Sequence, residues 1–206
     1  MKTNCNAMIV VIVTLFAVAS STNANAQNLN PFDKHSDVRK ALDSWDNGRM
    51  KNDVIFRPAG APPRPYVLQN VATGKLLSLP VVAGNPDGAH LHGWADKGQR
   101  NQHWFVIGGP NGTKAFVNVM QDKFVDLAVM AGNPNGAVIH GFRHNGQPNQ
   151  LWVMEPTGRD TMRLRNVALG KYLNLLPAQH NADGARIVGW DPNGQANQEW
   201  RLLPVR

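Results

Sequence analysis

Asp126, His140, Phe142, Asn149 and Gln150 place a carboxylate, an imidazole, a flat ring and two amides within one short stretch of a 206-residue chain. An ionised carboxylate accepts two hydroxyl hydrogen bonds at once, and bonds to a charged acceptor are the strong ones. A flat ring covers the C–H face of a pyranose, and an amide beside it donates and accepts. The combination suits holding a polyhydroxylated ring without reacting with it. Reactive alternatives are poorly supplied. The sequence has no Gly-any-Ser-any-Gly elbow, no His-Glu-any-any-His pair, no obvious pair of carboxylates for glycoside cleavage, and no P-loop, Rossmann or calcium-loop pattern. A non-catalytic binding module without a cofactor is expected. His90 and His92 share a face of a predicted strand, and His140 lies in the equivalent place further on. A metal site needs more ligands than these, so they read as polar surface histidines.

These residue types recur at a fixed step. "RNQHW", "PNQLW" and "ANQEW" carry Gln102 and Trp104, Gln150 and Trp152, Gln198 and Trp200, a spacing of 48 residues each time (150 − 102 and 198 − 150). The same step relates Asn70, Asn118 and Asn166, then Lys75, Lys123 and Lys171, and also Gly93, Gly141 and Gly189, without a gap. At the carboxylate position stand Ser78, Asp126 and Asn174, and at the ring position Trp94, Phe142 and Trp190. At the amide position stand Asn101, Asn149 and Asn197, and two residues before the ring His92, His140 and Val188. Only the middle repeat has the full set. The first repeat, through Ser78, His92, Trp94, Asn101 and Gln102, is a secondary candidate, and the third is the least equipped.

What must position these groups follows from the repeat. Each contains four strand-like runs, such as "AFVNV", "KFVDLA", "AVIHGF" and "LWVM", separated by Gly, Asn and Pro. Three repeats give about twelve strands in an all-β fold. The 19 glycines and 14 prolines also favour turns over long helices. Three blades are too few to close a propeller, whereas a three-fold barrel capped by hairpins suits the count. Three Gln-any-Trp repeats of this spacing resemble the ricin B-type β-trefoil lectin family, over residues 64–206. The resemblance implies recognition of galactose or N-acetylgalactosamine types on glycans, glycoproteins or glycolipids. It also implies that Trp104, Trp152 and Trp200 belong to the fold, buried around a pseudo-three-fold axis. Gln102, Gln150 and Gln198 are expected to satisfy backbone groups where each last strand begins. Asp126 is the one feature that such a fold does not demand. The competing reading is that it caps a turn while the aromatics cover the barrel flank. The family's frequent intra-repeat disulfides are absent.

The ends and the composition set the context. Residues 1–26 have Lys2, an apolar run from Ala7 to Ala19 and Ala24-Asn25-Ala26, which reads as a secretory signal peptide. The run is short for a membrane span. The lone Cys5 precedes it, so the expected mature chain has no cysteine, no disulfide and no thiolate chemistry. The protein is expected to be secreted, extracellular or periplasmic. Its formal charge of +7 is scattered rather than paired with stacking aromatics, with only Arg163 and Arg165 clustered, so a solvated surface is expected rather than nucleic-acid binding. Residues 27–63 form an N-terminal arm. "SDVRKALDSWDNG" predicts a short helix there, and "RPAGAPPRP", residues 57–65, an extended linker. The arm either straps the trefoil or docks a protein partner, as in a receptor-binding or carrier subunit of a secreted toxin. The cytolethal distending toxin binding subunits are similar in plan. A protease inhibitor on a trefoil, as in the Kunitz type, is the other alternative, but it needs one protruding loop and the repeats align without gaps. Asn111 heads an Asn-Gly-Thr sequon.

Overall fold

The computed structural model describes residues 64–177 and 181–206. The expected signal peptide, the arm and its helix lie outside the described residues. Thirteen strands make the fold: β1 (Tyr66–Asn70), β2 (Leu76–Ser78), β3 (Ala89–His90), β4 (His92–Trp94), β5 (Trp104–Gly108), β6 (Lys114–Asn118), β7 (Phe124–Leu127), β8 (Ala137–Phe142), β9 (Trp152–Pro156), β10 (Met162–Asn166), β11 (Tyr172–Leu175), β12 (Ala185–Trp190) and β13 (Trp200–Pro204). The excess over twelve has a local cause. In the first repeat the third strand divides at the fully buried Leu91, where the chain changes partner from β8 to β12.

Six strands close a barrel. The pairs β13–β1, β5–β6 and β9–β10 each run five residues in antiparallel register. Single pairings, Tyr66 with Trp104, Lys114 with Trp152 and Met162 with Trp200, join one pair to the next. Closure leaves no barrel edge unpaired. The remaining strands form three hairpins, β2–β4, β7–β8 and β11–β12, which meet through β3–β8, β8–β12 and β12–β4 as a triangular cap. This is the three-fold barrel and cap that the 48-residue period predicts, a β-trefoil.

The period is written in the core. Trp104, Trp152 and Trp200 are at most 1% exposed. Their indole Nε1 groups donate to the carbonyls of Leu77, Val125 and Leu173 at 3.0, 3.1 and 2.9 Å. Each tryptophan thus fills the axis and fastens its own cap hairpin to its own barrel strand. The cap closes by close approach of one repeat to the next. A Cβ at Gly141 would lie 2.6 Å from Leu79 Cδ1, at Gly189 2.7 Å from Leu127 Cδ1, and at Gly93 2.7 Å from Leu175 Cδ1. Only glycine leaves room for the leucine of the preceding repeat.

Two further sets of bonds tie each repeat to the next. Asn85, Asn133 and Asn181 adopt positive φ (46°, 44° and 54°), a conformation asparagine tolerates better than most residues. Their side-chain amides donate across the repeat boundary to the carbonyls of Gln121, Leu169 and Thr73, at 3.0, 2.9 and 3.1 Å. Beside them the recurrent lysines bridge the same boundaries: Lys123 to Asp87 at 2.7 Å, Lys171 to Asn135 at 3.0 Å, and Lys75 to Asp183 at 2.6 Å. The basic pair on β10 is neutralised locally. Arg163 bonds Glu199 at 2.8 Å and Arg165 bonds Glu155 at 2.6 Å. Among the described residues no helix is long and apolar enough to cross a membrane.

Candidate functional site

Strands β7 and β8 pair with Asp126 opposite His140. On β8 the side chains alternate, so His140 and Phe142 share the outward face while Ile139 and Gly141 point into the cap. Immediately before β9, residues 148–150 make one 3₁₀ turn that buries Asn149 and Gln150. The sequence-derived set therefore comes together, and Asp126 is its centre. Its Oδ1 lies 2.9 Å from His140 Nε2 and accepts from Asn149 Nδ2 at 2.9 Å. Its Oδ2 accepts from Gln150 Nε2 at 2.9 Å and Asn145 Nδ2 at 3.1 Å. An ionised carboxylate only accepts, so the short His140 contact places a proton on Nε2. The His140 ring stacks on Phe142, with centroids 5.4 Å apart and planes 27° from parallel.

Asp126 is only 2% exposed, and four donors fill the acceptor sites that a carboxylate offers. Asp126 therefore also fastens the middle repeat, although Ser78 and Asn174 serve at the same place in the other two. Asp126 joins β7, β8, the turn after β8 and the 3₁₀ turn in one buried cluster. Losing it would leave several buried donors unsatisfied. The accessible rim of the cluster is the half-buried His140, Phe142 and Asn145.

The other repeats show what the carboxylate adds. In the first, Ser78 Oγ accepts from Gln102 at 3.0 Å and donates to the Leu76 carbonyl at 3.3 Å. Asn101 donates only to the Leu79 carbonyl, at 3.0 Å, and its own Oδ1 is buried without a partner among the described residues. His92 and Trp94 lie beside each other, tilted by 49°. The five secondary residues are therefore neighbours, yet no single acceptor draws them together. In the third repeat Asn174 Oδ1 takes Asn197 at 3.0 Å and Asn193 at 3.5 Å, and Val188 replaces the histidine.

The glutamines do a backbone task in all three repeats, located slightly differently from the expectation. Gln102, Gln150 and Gln198 donate to the carbonyls of Ala95, Arg143 and Asp191, each at 2.8 Å, and accept from the amides of Lys97, Asn145 and Asn193. They brace the loop after the third strand rather than the start of the fourth. The ring position also has a fold role in two repeats. A Cβ at Gly184 would touch Trp94 at 3.6 Å, and one at Gly136 would touch Trp190 at 3.9 Å. The shorter Phe142 leaves the equivalent Gly88 with nothing within 4 Å.

Asn145 is the site residue that sequence reasoning missed. It sits five residues before Gln150 in "NGQPNQ", and its 48-step counterparts are Lys97 and Asn193. Among the described residues no group of three His, Asp or Glu side chains is placed to hold a metal ion.

This geometry is that of known trefoils. The designed three-fold symmetric protein ThreeFoil is 27% identical, with a TM-score of 0.62, and the alignment covers 68% of this chain and 97% of that one. The exo-β-1,3-galactanase 1,3Gal43A from Clostridium thermocellum is 26% identical, with a TM-score of 0.62, over 69% of this chain but only 30% of the enzyme. The Rhizoctonia solani agglutinin, 20% identical with a TM-score of 0.58 over 72% of this chain and 99% of that one, shares the fold. No curated protein sequence matches the chain. The family model described as ricin-type beta-trefoil lectin domain-like matches residues 56–142, 127–190 and 148–206. With most of its length matched, its three indole-pinned repeats and its closed barrel, the chain belongs to the ricin-type β-trefoil lectin-like family.

Proposed function

We propose that the protein is a secreted, non-catalytic lectin whose middle repeat binds a neutral sugar of the galactose or N-acetylgalactosamine type. The observation that carries this reading is the convergence on Asp126. Only the middle repeat has a carboxylate at this position, with His140 and Asn145 at its rim and the stacked His140–Phe142 pair above it. Family membership supports carbohydrate recognition in general. The geometry suggests how a sugar enters. His140 and Asn145 are the outermost donors to Asp126, so a sugar hydroxyl takes over one of their places on the carboxylate. The displaced donor then turns to a second hydroxyl, while Phe142 covers the C–H face. Such an exchange preserves the count of hydrogen bonds, and the net gain is small. A single site of this kind is expected to bind in the millimolar range, about −4 kcal/mol, so useful retention needs clustered glycans.

The test is a glycan array followed by titration calorimetry with lactose, galactose and N-acetylgalactosamine, on the wild type and on His140→Ala and Phe142→Ala. Binding that is lost in both variants, with melting curves close to wild type, supports the site. Binding by wild type that survives both variants moves the ligand elsewhere. A blank array at high protein concentration removes the lectin reading.

A further inference from the structure

Next to the middle-repeat site two cationic side chains bond one carboxylate, an arrangement that, among the described residues, neither other repeat junction has. Between the first and second repeats lies an open depression of about 580 Å³, lined by Gly84, Asn85, Pro86, Asp87, Lys123, Arg143 and His144. Asp87 holds its floor. It accepts from Lys123 Nζ at 2.7 Å, from the Arg143 backbone amide at 2.8 Å, and from Arg143 Nε. One carboxylate therefore faces two fixed cations. Arg143 spends only Nε on Asp87, its side chain is 70% exposed, and among the described residues its two terminal nitrogens have no partner.

The equivalent junctions have no guanidinium at this place. Where the second repeat meets the third, Lys171 bonds Asp191, which occupies the arginine position, and Asn135 replaces Asp87. Where the third meets the first, Lys75 pairs with Asp183, and Ala95 contributes only its backbone amide. Phe142 also leaves Gly88 uncovered at this junction, while the tryptophans of the other repeats reach the corresponding glycines. The two open terminal nitrogens of the guanidinium and the bare backbone thus coincide.

The depression and the proposed sugar site flank β8 and its C-terminal end. Neighbouring strands run β7–β8–β3, so Asp126 lies on one side of β8 and the Asp87 loop beyond the other. Arg143 follows Phe142 directly, and its carbonyl is the one braced by Gln150. A glycan whose neutral ring rests on His140 and Phe142 can extend a neighbouring substituent towards Arg143. An exposed planar guanidinium with two free nitrogens matches a two-oxygen anion.

We propose that this depression receives a negatively charged substituent, a carboxylate or a sulfate, of a glycan whose neutral ring occupies the middle-repeat site. The proposal rests on the lectin reading for its neutral ring but not for its anion contact. The test titrates the full chain at low salt with lactose, 3′-sialyllactose, 3′-sulfated lactose and, alone, sodium sulfate, following the arginine side-chain resonances by NMR. At least one acidic lactose is expected to bind about tenfold tighter than lactose, as a charge-assisted bond provides. The advantage is expected to shrink with added salt, and the acidic-to-neutral affinity ratio to fall towards one in Arg143→Gln. The preferred acidic lactose tells carboxylate from sulfate. If lactose binds but neither acidic form binds tighter, or the ratio survives Arg143→Gln, the proposal is overturned and the lectin reading stands. If no saccharide binds, the lectin reading falls; sulfate that shifts the Arg143 resonances then upholds the anion site, and silence there overturns it too.

Discussion

Replacing Asp126 by asparagine tests the central geometry most directly, because the side chain keeps its shape and loses only its charge and one acceptor. In the native cluster four donors approach the two carboxylate oxygens at 2.9 to 3.1 Å. An amide must turn an NH₂ towards one pair. Facing Gln150 and Asn145, it meets two donors. Facing Asn149 and His140, it meets one donor and an imidazole that can present a lone pair instead, so this orientation is favoured. One donor conflict and the loss of charge assistance then remain, a cost of about 1.5–3 kcal/mol. The third repeat shows that the pocket tolerates an amide, since Asn174 sits there on the corresponding asparagines. The variant should therefore fold. At roughly 3–4 °C per kcal/mol for a domain of this size, its melting temperature should fall by about 5–10 °C. Lactose affinity should fall as well, because the sugar hydroxyls lose a charged acceptor. Differential scanning calorimetry and glycan-column retention of the same sample read the two effects. An unchanged melting temperature would show that the carboxylate is not engaged as described. A lowered one with full retention would make Asp126 a fastener and not part of the sugar site.

Trp152→Ala removes a fully buried indole and its bond to Val125, so about 3–5 kcal/mol of stability should go; chemical denaturation measures it, and any loss of binding should track unfolding. Gly141→Ala drives a methyl against Leu79 at 2.6 and 2.9 Å, and the leucine tip yields only in part, so a loss of about 1–3 kcal/mol is expected in the same assay. Acid should destabilise the protein. Burial pushes the Asp87 and Glu155 carboxyls up, but the bonds from Lys123 and Arg143, and from Arg165 and Tyr172, together outweigh it and hold both below their ordinary values. The bonds from Lys75 and Lys171 likewise hold Asp183 and Asp191 low. Folded carboxyls of this kind bind fewer protons than unfolded ones, so their contribution is complete above about pH 4 and is lost as pH falls through the lowered values. Burial also lowers His92 and His103, which adds a loss that starts near pH 6.5. Melting temperatures that stay flat from pH 7 to pH 3 would refute this assignment.

The 48-residue step made most of the fold legible, because each recurring residue does one geometric task three times. Tryptophan can serve as an axial filler with a single donor, and glycine as the only residue that fits under a leucine of the preceding repeat, so their columns point directly to a packed three-fold core. Departures within a column were equally readable, and Ser78, Asp126 and Asn174 singled out the middle repeat. What sequence did not convey was occupancy. Nothing in "KFVDLA" says that protein donors already fill the carboxylate. Asn145 was hidden because asparagine before glycine is ordinary turn chemistry, with no sign that its side chain turns inward. The Asp87–Arg143 link spans 56 residues, off the repeat step, so no column revealed it. The division of the third strand at Leu91 depends on which neighbour it pairs with, a property of the assembled cap.

The repeat-to-repeat fastening has no beginning. Asp183 and Asn181 grip the first repeat as Asp87 and Asn85 grip the second. The two ends of the trefoil lie side by side, with Tyr66 opposite Pro204 and the Val205 amide on the Pro65 carbonyl at 3.0 Å. They occupy the place that the tight turns 109–113 and 157–161 take between the other barrel pairs. The point where the trefoil opens is therefore arbitrary with respect to the barrel. Circular permutants that join residues 64 and 206 and open at Gly112 or Gly158 retain every contact of the ring, whereas an opening at Asn133 severs a strap between repeats. Grafts and tags belong at the first kind of position.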